Sequence, residues 1–258
     1  TLNVEISGSQ LNISTTQGAN TTPITNGTSF TLRWSGTRHM EGAPTVISVT
    51  ANSTVNRYRY GQIQFKVIKD KLLGNRLSII NSVRLQDEYL WGIGEVPSSW
   101  PLAALQAQAI ASRTYALAKS LKIRTACSCH LYGSISDQSF VGFSKESEAL
   151  YGQFWKSAVD STVGQIITYD GLPITAYFTS STGGATETSE HAWGTATPYT
   201  LSVSDTASAD IKLNPRFATW SRQISQSVIA SAFLLPDVVS LEVLSLNPVG
   251  TDDQIKAT

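Results

Sequence analysis

The sequence predicts an α+β protein: β-rich flanks around a mixed core with one long central helix and a β-hairpin. Three observations lead there. Residues 1–55 are rich in Thr, Asn, Ser and Gly and break into short alternating pieces. One helical stretch without internal Gly or Pro runs from about Pro101 to Leu121. Two further alternating segments flank Asp170-Gly171, a strong hairpin signal.

In chain order, Leu2-Asn3-Val4-Glu5-Ile6 and Phe30-Thr31-Leu32-Arg33-Trp34 alternate apolar and polar, as strands with one buried face do. Asn26-Gly27 and Gly18 supply turns. Gly61 to Ile68 is a further strand. Gln86-Asp87-Glu88 is expected to open a short helix, with Leu85, Tyr89, Leu90, Ile93 and Val96 at helical spacing and Gly92 and Gly94 ending it. The long helix begins near Ser99-Trp100-Pro101, with Ser available as a cap and Pro near the first helical position. Positions 103, 107, 110, 114, 117 and 121 have the four-three spacing of a core face. Residues 124–143 read as a long surface loop, helices are expected over 144–151 and 154–161, a helix over 227–233 and a strand over 238–246. The change of texture divides the chain into a β-rich segment, 1–58, and a core, 59–258, that ends in β structure. The two are also compatible with one continuous domain.

Composition excludes several function classes. The chain has 258 residues, enough for a sizeable core, with Lys+Arg 19 balanced by Asp+Glu 19. That balance argues against a nucleic-acid partner. No run approaches the ~20 apolar residues of a transmembrane helix. The charged fraction of 15% is low and Ser and Thr are abundant, which suits a setting outside a cytosol. The chain starts at Thr1 without Met or an apolar export segment, as a mature or trimmed chain would. No GxxxxGK phosphate loop and no GxSxG nucleophile elbow occurs.

The two cysteines, Cys127 and Cys129, sit one residue apart. A local disulfide or two free thiols is one reading. Zinc on Cys127, Cys129 and His130 is the other, but it needs a further ligand. Close thiols in an exported protein favour oxidation, and no cofactor is expected.

Two places attract chemistry. Glu95 lies in a Gly-rich bend followed by Pro, with Trp100 near enough in sequence to form an apolar wall. Such a wall raises a carboxyl pKa, as a general acid requires. The alternative is a solvated loop acid. Arg113, on the helix beyond, is either a substrate ligand or a salt-bridge partner. Thr179 to Glu187 is rich in hydroxyls and glycines, whose N–H groups can approach a ligand closely, or else it is a mobile surface loop.

Glu95-Val96-Pro97-Ser98-Ser99-Trp100-Pro101-Leu102-Ala103-Ala104-Leu105-Gln106-Ala107-Gln108-Ala109-Ile110-Ala111-Ser112-Arg113-Thr114-Tyr115-Ala116 resembles the signature of the SpoIID/LytB family. Tyr177 to Gly194 is similar to that family's Tyr-x-Ser-x-Ser-Gly-Gly-x-Thr-Glu pattern, and Gln138-Ser139-Phe140-Val141-Gly142 to its Gln-x-Tyr-x-Gly. The matches stand in family order over roughly residues 60–210.

The resemblance implies an exported protein of the bacterial cell wall or surface that acts on peptidoglycan glycan strands. In sporulation members this is lytic transglycosylase cleavage with one Glu, which falls on Glu95. Arg113 would bind substrate or orient Glu95, and Ser180, Ser181, Gly183 and Gly184 would line a groove. LytB-type members imply another class, a wall-binding module that enhances a partner amidase. Some sporulation members carry His-Cys zinc ligands just before Gln-x-Tyr-x-Gly; here those places hold Ser136-Asp137, and the family's Met and Lys are Val96 and Gln106.

Overall fold

The computed structural model describes residues 1–245 and 253–257 as an α+β protein. The chain forms two compact units, Thr1–Tyr177 and Phe178–Thr258.

The first unit opens with a three-stranded antiparallel sheet, β1 (Leu2–Ser7), β2 (Gln10–Gln17) and β3 (Asn20–Gly27). β4 (Ser29–Leu32) then pairs with β7 (Gln62–Asp70), which pairs with β8 (Gly74–Ser82), and β5 (Ile47–Ala51) with β6 (Thr54–Tyr58) forms a separate hairpin. The period-two pattern decides which side chains go inward. Leu11, Trp34, Ile63 and Phe65 form a core, with Phe30, Leu32, Val67 and Ile79 packed on it.

A second core lies among the helices. α1 (Leu102–Lys119) packs on α3 (Gly152–Ser161), and Leu90, Ile93, Leu105, Ala109, Trp155 and Val159 fill the space between them. The expected core face of α1 is corrected in part: Thr114 is fully buried and Ile110 and Leu117 are half-buried, but Ala103 and Ala107 are exposed, and Leu121 is 85% exposed beyond the helix end. The buried positions are 105, 109 and 112–116: positions 105, 109, 112 and 116 share one face of a 3.6-residue period, and the helix is buried more widely around Arg113, Thr114 and Tyr115. Leu105 and Ala109 on that face belong to the core cluster, whereas the expected stripe ran past the helix end to Leu121. Ser99 is not the cap either, since Pro101 occupies that position and no side chain caps α1.

The short helix expected at Gln86 is a single π turn, Leu85–Tyr89, followed by a 3₁₀ turn, Leu90–Gly92. The regions 144–151 and 154–161 hold α2 (Phe143–Glu146) and α3. The hairpin about Asp170-Gly171 has two residues per strand, β9 (Thr168–Tyr169) and β10 (Leu172–Pro173).

The second unit carries short helices α4 (Ser189–Trp193), α5 (Thr206–Ala209) and α6 (Gln226–Ala232), and the antiparallel pair β11 (Leu241–Ser245) and β12 (Asp253–Ala257). The strand expected over 238–246 starts later, at Leu241, and its last residue, Leu246, lies outside the described residues.

Trp155 joins the helical core to the bend that follows it. Its ring is fully buried, and its indole N–H donates to the Leu90 carbonyl at 2.8 Å. Trp155→Ala is expected to lower stability by about 3–5 kcal/mol, from lost packing and an orphaned carbonyl. Urea unfolding followed by far-UV circular dichroism measures this; a loss under ~1 kcal/mol contradicts the placement.

Candidate active site

Glu95 is half-buried in the bend between the 3₁₀ turn and α1, and the chain is fastened on both sides of it. On the near side, Ile93 and Phe140 form an antiparallel bridge. Gly94 N–H donates to Ser139 O at 2.8 Å and Val141 N–H donates to Gly92 O at 2.8 Å. The Glu95 segment thus pairs with the Gln138–Gly142 motif as a two-strand fragment. The glycines of this pairing are spatial requirements. A Cβ on Gly92 would lie 2.5 Å from the Phe140 ring. Gly142, at φ +59°, would put one 2.5 Å from the Arg57 carbonyl oxygen.

On the far side, the buried Lys145 ammonium donates to Val96 O at 2.6 Å and pairs with Glu148 at 3.1 Å. Ser98 Oγ donates to the same Glu148 carboxylate. Burial pushes the Glu148 carboxyl up, but the Ser98 hydroxyl and the Lys145 ammonium outweigh it and hold it below the ordinary carboxylate range. Val96 and Ser98 are themselves buried. Trp100 is 46% exposed and remains available to a ligand.

The Glu95 carboxylate has a specific partner: Ser139 N–H donates to Oε1 at 2.6 Å. The segment that carries this donor is held in turn. Gln138 is fully buried, and Tyr89 O–H donates to its Oε1 at 2.9 Å. Burial first, then the negative charges of Asp137 and Glu95, push the Tyr89 phenol up, so it stays a donor. Phe140 stacks on Tyr89 with ring centroids 5.5 Å apart. The Asp137 side chain is 1% exposed and accepts from Arg124 at 2.7 Å, Tyr115 O–H at 2.9 Å and Tyr132 N–H at 2.8 Å.

Arg113 lies on the buried part of α1. It is fully buried and donates to the carbonyls of Gln165 (3.1 Å) and Val159 (3.2 Å) and to Thr162 Oγ1 (3.4 Å). Desolvation pushes its pKa down. A cation at the last carbonyls of α3 suits that helix end. The sequence motif specifies an Arg here, but it does not distinguish a substrate ligand from a helix-end clamp.

Cys127 and Cys129 are joined to each other, with Cα atoms 5.1 Å apart. Asp137 is taken by a guanidinium and two further donors, so the thiols, Ser136 and Asp137 do not fit a zinc site. Among the described residues no cluster of three His, Cys, Asp or Glu side chains is placed to hold a metal.

In the second unit, the Thr182–Gly184 turn is tied to α5. Thr182 Oγ1 donates to Asp205 at 2.9 Å, and Gly184 N–H donates to Ser208 Oγ at 2.7 Å. Ser181 Oγ accepts from Asn214 at 3.0 Å. Ser180 and Gly183 are exposed, and Gly183 (φ +72°) and Gly184 (φ +119°) take conformations that favour glycine. His191 Nδ1 lies 3.0 Å from Glu187 Oε1.

Residues missed by sequence reasoning include Lys145, Glu148, Tyr89, Tyr115 and Arg124. The usable signal was Gln138-Ser139-Phe140-Val141-Gly142, which marked their meeting point without naming the partners.

The clamp assigned to Arg113 has a measurable consequence. Arg113→Lys puts a single ammonium in place of the planar fork that reaches Val159, Thr162 and Gln165 together, and is expected to cost about 2 kcal/mol of stability, read as a lower Tm. An unchanged Tm with weakened glycan binding would instead mark Arg113 as a substrate ligand.

Residues 74–169 match the SpoIID family, described as Stage II sporulation protein. The chain is 35% identical over 118 residues to the amidase enhancer of Bacillus subtilis (strain 168), covering 45% of this chain and 15% of that protein. It is 35% identical over 130 residues to stage II sporulation protein D of Bacillus amyloliquefaciens, covering 45% of this chain and 37% of that protein. It is also 31% identical over 142 residues to an uncharacterized protein of Brachyspira hyodysenteriae, covering 54% of this chain and 36% of that one. The match thus spans little more than a third of these relatives at most. Through this segment, the chain is similar to the SpoIID family.

Proposed function

We propose that the protein cleaves peptidoglycan glycan strands by a lytic transglycosylase mechanism, with Glu95 as the single acid and base. The observation that supports this best is the fastening of Glu95. Its bend is pinned on both flanks, and Oε1 is held by Ser139 N–H. Oε2 is left to carry the proton. In the first step Glu95 gives that proton to the glycosidic oxygen as the bond to the anomeric carbon breaks. Its carboxylate then takes the proton of the sugar's own primary hydroxyl as that oxygen attacks the anomeric carbon. An anhydro ring closes and Glu95 is again protonated. One carboxylate suffices because no water has to be activated, unlike in a two-carboxylate glycosidase.

In this reading the exposed Trp100 offers an apolar face to a sugar ring. Ser180, Ser181, Gly183 and Gly184 supply glycan contacts on the second unit, through the serine hydroxyls and the close backbone approach that the two glycines allow. Arg113 acts at a distance, by fixing α3 against α1. The family points to an exported protein at the cell wall. A second reading is favoured by the relative named as an amidase enhancer: the chain binds the wall and stimulates a partner amidase without cutting glycan.

Glu95→Gln keeps size and hydrogen bonding but cannot supply the proton. Turnover of purified glycan strands, with and without stem peptides, is expected to fall at least ~100-fold while strand binding persists. Undiminished turnover in the folded variant removes Glu95 as the catalyst. Stimulation of an amidase that survives Glu95→Gln, without glycan cleavage by the parent protein, supports the second reading.

A further inference from the structure

We infer that Asp137 is a positioning residue for Glu95 and that the Cys127–Cys129 disulfide sets Asp137, so that opening the bridge lowers turnover. This rests on the reading of Glu95 as the acid.

The contacts run in an unbroken order. The disulfide closes a turn in which Ser128 is held at φ +54°, a left-handed conformation costly for a residue with a Cβ. The same turn is closed by Arg124 N–H donating to Cys129 O at 2.8 Å. It is docked on β8 by Ser78 Oγ donating to Cys127 O at 3.0 Å. Arg124, fixed at the mouth of that turn, carries the guanidinium that neutralises Asp137. A carboxylate this buried is costly without its counter-charge, so losing Arg124 displaces Asp137 rather than leaving it in place.

Asp137 is followed by a buried Gln138, whose Nε2 has no partner, and then by Ser139, whose N–H holds Glu95 Oε1. Two peptide units separate the clamp from the donor, a distance over which a shift in one is felt in the other. Tyr115 reinforces the clamp from α1. Burial and the hydrogen bond to Asp137 push its phenol up, so it remains a donor throughout the neutral range.

The opening step balances with a dithiol as reductant. The Cys127–Cys129 bond takes up two electrons and two protons to give two thiols, and the dithiol is oxidised to its own disulfide. A released Ser128 can leave its left-handed conformation, and the Arg124–Cys129 pairing loses its constraint.

The test compares oxidised protein, dithiol-treated protein, the Cys127→Ser/Cys129→Ser double variant, Arg124→Met and Asp137→Asn. Two readouts are taken: kcat and KM on glycan strands, and hydrogen exchange at the Ser139 amide. Each perturbation is expected to lower kcat roughly tenfold or more with KM little changed, and to speed Ser139 exchange to a similar degree. Arg124→Lys, which keeps the charge, is expected to recover most of the loss. If dithiol-treated protein and Asp137→Asn both keep kcat and Ser139 exchange within about twofold of the oxidised parent, the inference is wrong. If a variant fails to fold, the dithiol-treated parent decides the matter. If the oxidised parent shows no glycan turnover, the catalytic reading fails by itself, and Ser139 exchange alone decides this inference.

Discussion

The Glu95 carboxylate takes its donor from a residue 44 positions away, the backbone amide of Ser139 at 2.6 Å. That one hydrogen bond needs two stretches of irregular chain to run side by side at strand spacing. Much of the surrounding structure follows from meeting that need. Gly92 lets Phe140 lie against the backbone. Phe140 stacks on Tyr89, Tyr89 holds Gln138, and Asp137 gathers an arginine and a tyrosine just before them. A backbone donor is well suited to such a task because it has no rotamer of its own to lose.

The far side of the bend uses a different device, a buried lysine. Lys145 is almost fully buried, which alone would be costly, but its ammonium has a carbonyl, a carboxylate and the face of Trp155 around it. The arrangement anchors Val96 and, through Glu148, Ser98. Glu95 is therefore held between a hydrogen-bonded strand fragment and an ionic anchor, and neither relies on a long helix. In the proposed reaction, preorganisation of this kind would let a single carboxylate give and recover a proton without the protein reorganising between the steps.

What was legible in the sequence was what periodicity and turn chemistry encode locally. The alternating runs at Leu2, Phe30 and Gly61 are strands, and the stretch from Pro101 to Lys119 is one helix. The buried face of that helix was read only in part, because it combines Leu105 with small and polar residues, Ala109, Ser112, Thr114 and Ala116, and with Arg113. Small residues carry little hydropathy signal, although they decide how closely two helices approach. The contacts of Arg113 were not legible either. Its partners are backbone carbonyls in and just beyond α3, 46 and 52 residues away, and no pattern along the chain announces them. At the candidate site, the Glu95 bend and Gln138–Gly142 were both visible as motifs, but their direct contact was not. Lys145 and Glu148 fall in the helical segment expected over 144–151, but nothing along the chain marks them as anchors, since burial of a charge is a property of the fold.

The similarity to the SpoIID family and the geometry around Glu95 support one proposal, that a lone carboxylate cuts a glycan strand by turning the sugar's hydroxyl on its own anomeric carbon. The nature of the new chain end tests that claim most directly. Mass spectrometry of purified glycan strands incubated with the protein distinguishes the outcomes, because an anhydro end is one water lighter than a hydrolysed end. The account predicts anhydro-ended fragments. Reducing ends carrying an added water, or intact strands after prolonged incubation with folded protein, would contradict it.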